Sequence, residues 1–157
     1  MSSQGRDGRV ALARTWARAI GSTVYVPMSA VELHEFLLGL VGTLADTVAA
    51  EPFTALPAAD VGRKLVRAKF TGHETLQESI AVLSHALLAG GGTAERVVAV
   101  MGELAAGYAE AIRGWTLDQQ EEVKRALLDA TRRREAELRV SENRFREVVT
   151  SSALGIA

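Results

Sequence analysis

Apolar residues recur along this chain at intervals of three and four, and nowhere before residue 148 do they alternate as a strand requires. The pattern predicts helices. The first spans about Asp7 to Ile20, with Val10, Ala13, Trp16 or Ala17 and Ile20 on one face and Gly21 ending it. The five or so residues before it are expected to fray. Its other face carries Arg6, Arg9, Arg14 and Arg18, which read as a solvated surface. Helix two has the clearest start: Ser29 followed by Glu32 forms a capping box, each side chain reaching an N–H that the first turn leaves unpaired. Leu33, Leu37, Leu40, Val41, Leu44 and Val48 then follow at helical spacing to about Ala50. Gly39 and Gly42 would each weaken an isolated helix by ~1 kcal/mol. Close approach by a neighbouring helix is the expected compensation.

Glu51-Pro52 stops helix two, and Pro57 suits the first turn of helix three, where its missing N–H costs nothing. Val61, Leu65 and Ala68 face inward there, and Gly72 punctuates the end. Thr75 with Glu78 repeats the capping-box signature, opening helix four with Leu76, Ile80, Leu83 and Leu87. Gly90-Gly91-Gly92 breaks the chain again. Thr93 caps helix five, whose inward face reads Val97, Met101, Leu104, Tyr108, Ile112 and Trp115.

From Thr116 the texture changes. Residues 117–147 are dense in Glu, Gln, Arg and Lys and contain no Gly or Pro. They predict a long exposed helix, either fused to helix five through Gly114 or re-capped by Thr116 and Gln119. Alternating steps of four and three from Leu127 give Thr131, Arg134, Leu138, Ser141, Phe145 and Val148. This heptad seam is about half polar, which predicts a weak parallel homodimer rather than a strong zipper. The expected fold is all-α: a five-helix bundle or globin-like array with a long C-terminal signalling helix. Its divisions are an input domain (1–115), a connector (116–147) and the start of a further domain (148–157).

Composition narrows what the chain can do. Apolar residues make up 48% and aromatics 5%, so the core must be aliphatic with a few large anchors. Net charge is -1, which supplies no general field for nucleic acid or an anionic membrane. With no cysteine, disulfides, thiolate metal sites and a cysteine nucleophile are excluded. The polar N-terminus lacks a signal peptide's apolar stretch, and no apolar run approaches the ~18 residues of a membrane span, so the expected location is cytoplasmic.

Three histidines are candidates for chemistry. His34-Glu35 lacks the second histidine of a zinc-protease helix, because position 38 is Leu38. His73 sits at a helix start beside Gly72. His85, between Leu83 and Leu87, is placed near the buried face of helix four and is the candidate haem ligand if the fold is globin-like. Ser84 and His85 are consecutive and point about 100° apart on a helix, so they make no nucleophile–base pair. Gly90 to Thr93 lacks the Lys-Ser/Thr ending of a phosphate loop. The minimum equipment of an enzyme is not found, and no cofactor is expected beyond the haem alternative.

The stretch Ser141-Glu142-Asn143-Arg144-Phe145-Arg146-Glu147-Val148-Val149, followed by Thr150-Ser151-Ser152-Ala153-Leu154-Gly155-Ile156-Ala157, resembles the opening of a PAS domain. Such domains often start with a charged "SE-x-RFR" helix, an apolar pair, a small polar turn and "GI" entering the first strand. The region upstream resembles the helical sensory segments of actinobacterial proteins that continue into PAS, GGDEF and EAL domains, which make and degrade cyclic di-GMP. Val61 to Gly72 also resembles the N-terminal helical domain of RsbR-type stress regulators, some of which are globin-like without haem. These resemblances imply a non-catalytic sensory and dimerisation module that relays a change of helix packing to downstream domains. A haem gas sensor and a stress-regulator scaffold that docks partner proteins are the alternatives. A ligand would sit between helices two, four and five, among Leu37, Val41, Leu83, His85, Met101 and Tyr108, residues that core packing also suits.

Overall fold

The computed structural model describes residues 3–23 and 27–155. Their regular structure is entirely helical: α1 (Ser3–Ile20), α2 (Ala30–Ala49), α3 (Pro57–Arg67), α4 (His73–Ala89) and α5 (Ala94–Leu154). The chain is an all-α helical bundle with a long C-terminal helix. It divides into two units, Met1–Gly114 and Trp115–Ala157. No helix among the described residues is long and apolar enough to cross a membrane.

The first unit is held by an aliphatic core with three buried aromatic anchors, Trp16, Phe70 and Tyr108. Ala13, Trp16 and Ile20 of α1 meet Leu37, Leu40, Val41 and Leu44 of α2, Leu83 and Leu87 of α4, and Val97, Val100 and Leu104 of α5, all buried. Trp16 is fully enclosed, and its indole Nε1–H donates to the buried Ser79 Oγ at 2.8 Å. That contact gives the ring its one polar partner and ties α1 to α4. α1 starts four residues before the expected Asp7, so the predicted frayed segment is helical from Ser3.

Caps explain most of the remaining boundaries. Ser29 Oγ accepts from Glu32 N at 3.2 Å and Glu32 Oε2 accepts from Ser29 N at 2.8 Å, so the expected capping box is formed. These hydrogen bonds hold the Glu32 carboxyl below the usual range. The second capping-box signature does not form: α4 starts at His73 after Gly72, and Thr75 lies fully buried within its first turn. Thr23 Oγ1 donates to the Ile20 carbonyl at 2.7 Å, so in the 2.9 Å contact between hydroxyls Thr75 is the donor. A threonine at this depth serves the α1–α4 contact rather than its own helix end.

α3 closes through a Schellman motif. Phe70 N donates to Leu65 O and Lys69 N to Val66 O, while Phe70 and Leu65 bury their side chains. Lys69 takes the left-handed position at φ 74°, where glycine is usual, at a cost of about 1 kcal/mol.

Close helix approach occurs, though not at Gly39 or Gly42. An added Cβ on Gly39 would meet nothing within 4 Å, and one on Gly42 only Arg9 Nη1 at 3.7 Å. The tight crossing lies between α3 and α5. A Cβ on Gly62 would overlap the Leu104 carbonyl oxygen and lie 2.5 Å from Tyr108 N. A Cβ on Gly107 would overlap the Ala59 carbonyl oxygen and lie 2.8 Å from Ala59 Cα.

α5 continues through Gly114 and Thr116 to Leu154, so the re-capping alternative is not used. A single glycine costs a helix only about 1 kcal/mol, too little to break it here. Residues 113–155 are exposed at every position. Helix extends through Thr150-Ser151-Ser152, where the resemblance implied a turn. The strand start expected at Ile156-Ala157 lies outside the described residues.

Candidate functional site

The candidate ligand residues separate into two groups. Leu37, Leu83, Met101 and Tyr108 are core residues, and none of them lines the groove between α1, α2 and α4. Tyr108 is committed to structure: its hydroxyl lies 2.8 Å from the carbonyl oxygens of both Phe70 and Gly72 and donates to this pair. Burial pushes its pKa up to about 12. The phenol fastens α5 to the joint between α3 and α4. These four side chains take part in the packing of the core.

A groove of about 1120 Å³ lies between α1, α2 and α4, and Val41 and His85 are the two predicted residues that border it. Its walls are made of small side chains: Gly5, Gly8 and Ala11 on α1, Ala45 and Ala49 on α2, and Ala81, Ala86 and Ala89 on α4, with Gly90–Thr93 closing one end. Leu12, Val41, Val48, Val82 and Leu87 supply the larger apolar surface. The size is comparable to small-molecule sites, about 300–1,000 Å³. Sequence reasoning missed it because it is defined by what the side chains leave empty. The available signal was the run of alanine and glycine on one side of three helices.

Polar groups stand at the rim. Arg9 pairs with Asp46 at 2.6 Å. Arg96 donates to the carbonyls of Val48 at 2.9 Å and Ala50 at 3.4 Å, pairs with Glu51 and lies 4.9 Å over the Phe53 ring. It thus satisfies carbonyl groups that the end of α2 leaves unpaired, where a cation is also favoured by the helix dipole. Thr93 accepts from Arg96 N at 3.4 Å through its hydroxyl, as expected of the cap.

His85 is exposed, which corrects its placement near the buried face. It lies two residues from each of Leu83 and Leu87, about 200° around the helix from both. The haem alternative loses the enclosed position that motivated it. Among the described residues no three His, Asp or Glu side chains gather as a metal site, and no buried side-chain polar atom lacks a partner.

The dimer residues Leu127, Thr131, Arg134, Leu138, Ser141, Phe145 and Val148 all lie on α5 and are exposed. Leu138 is 60% and Phe145 70% accessible, too open for residues of their type to serve this chain's own core. Comparison with protein-family models, curated proteins and solved structures finds no match for this chain.

Proposed function

We propose that this chain is a non-catalytic, cytoplasmic sensory and dimerisation module that passes a signal along α5 to PAS and cyclic di-GMP domains. The observation that carries this reading is α5 itself. One helix begins with core residues Val97, Val100, Met101, Leu104 and Tyr108, and continues as an exposed heptad seam. A helix that belongs to both a packed core and an unpaired seam couples the state of one to the association of the other. A stimulus need favour one of two packings by only a few kcal/mol to change their populations.

The test is association. In light scattering at tens of micromolar the chain is expected to be dimeric, and Leu138→Arg is expected to be monomeric with unchanged helicity. A strictly monomeric parent chain would remove the dimer reading.

The α1–α2–α4 groove is the input surface in this reading, and its apolar walls suit an apolar small molecule. The dye N-phenyl-1-naphthylamine is expected to brighten on binding there, and Ala45→Trp, which projects an indole into the groove, to weaken the signal. Equal brightening with both proteins would move the input elsewhere.

A further inference from the structure

We infer that the α5 seam is built for a second copy of this chain lying parallel and in register, with Arg134 of each copy paired to Glu135 of the other. The inference rests on the dimer reading and specifies its geometry. Arg134 is the one permanently charged residue among the seven seam positions from Leu127 to Val148. Closing the seam desolvates its guanidinium, which is strongly unfavourable unless a carboxylate meets it. Among the described residues no ion pair within the chain engages Arg134; the pair found in the second unit joins Arg132 and Asp129 at 4.0 Å. Both Arg134 and Glu135 are exposed.

Heptad geometry supplies the carboxylate. The alternating steps make Thr131, Leu138 and Phe145 the a positions, and Leu127, Arg134, Ser141 and Val148 the d positions. In a parallel pair each d side chain packs beside the e residue of the facing helix, which directly follows that helix's own d residue. The e residue after Arg134 is Glu135. Two-fold symmetry makes the contact twice, so both arginines and both glutamates are neutralised in one layer. The e residues after Leu127 and Val148 are Leu128 and Val149, which widen the apolar surface above and below the charged layer. The same register also creates one unfavourable contact. Glu137, at a g position, faces Glu142, the e residue five places on in the second copy. Like charges there weaken the pair, consistent with a half-polar seam.

Charge exchange in the full chain tests the arrangement by sedimentation equilibrium, with circular dichroism to confirm helicity. Arg134→Glu alone, or Glu135→Arg alone, is expected to weaken the dimer about tenfold or more. The double variant carrying both exchanges restores the opposite-charge layer and is expected to return close to the parent affinity. Glu142→Lys converts the repulsive contact to an attractive one and is expected to tighten the dimer. If the parent dimerises but the single exchanges leave it unchanged, or Glu142→Lys loosens it, the parallel in-register pairing is wrong while the dimer reading stands. If the parent is monomeric, both fall.

Discussion

Replacing Gly107 with alanine is expected to destabilise the first unit by about 3 kcal/mol, an outsized effect for a single added methyl group. The reason is the neighbour it would meet. The new Cβ would overlap the Ala59 carbonyl oxygen and lie 2.6 Å from the attached carbon, and backbone cannot rotate aside as a side chain does. α3 would have to withdraw from α5, loosening Val61, Leu65 and Val66, all buried beside the crossing. Urea unfolding followed by circular dichroism measures the change. Gly102→Ala, on the same helix with nothing within 4 Å of an added Cβ, is the control and is expected to be neutral or slightly stabilising. Equal effects from the two substitutions would show that the α3–α5 crossing is not close.

Trp16→Ala is expected to cost about 3–5 kcal/mol, enough to leave much of the first unit unfolded. The indole is fully enclosed between helices, so its loss opens a large cavity and also strands the Ser79 hydroxyl. The two contributions can be separated. Trp16→Phe retains most of the volume but not the Nε1–H donor, and is expected to lose roughly 1–3 kcal/mol. Thermal unfolding of the three proteins should rank them parent, Phe, Ala. A phenylalanine variant as unstable as the alanine one would assign the whole effect to the hydrogen bond.

Residues that act locally are legible in the amino-acid order alone. Ser29 and Glu32 sit three apart in the chain, and the capping box they form needs nothing from elsewhere. Pro57 in the first turn of α3 and Thr93 before α5 behave as their own chemistry dictates. The misreadings share a cause, which is dependence on distant partners. Thr75 and Glu78 carry the same signature as Ser29 and Glu32, yet Thr75 is drawn inward by the Thr23 hydroxyl, 52 residues away. Gly39 and Gly42 lie within a helix just as Gly62 and Gly107 do, yet Gly62 and Gly107 are the crossing pair, because only tertiary contact distinguishes them.

The site is harder to read than the fold. Apolar positions at helical spacing identify an inward face, and Leu37, Leu83 and Met101 do face inward. Spacing does not say whether the interior they face is filled. His85 shows the opposite limit: flanking leucines two positions away mark the far side of the helix, and its exposure was legible from the 100° step alone. The exposed seam is visible directly, since heptad spacing within one helix needs no outside information.

The base of α5 has a further consequence for how motion enters it. Gly107 is pressed onto the Ala59 backbone, and the adjacent Tyr108 hydroxyl is held by Phe70 and Gly72, so this part of the helix sits like a splined shaft. Turning it about its axis would sweep the Tyr108 ring off both carbonyls and carry a neighbouring Cβ into the space that Gly107 leaves. Such a shaft resists torsion while its teeth are engaged.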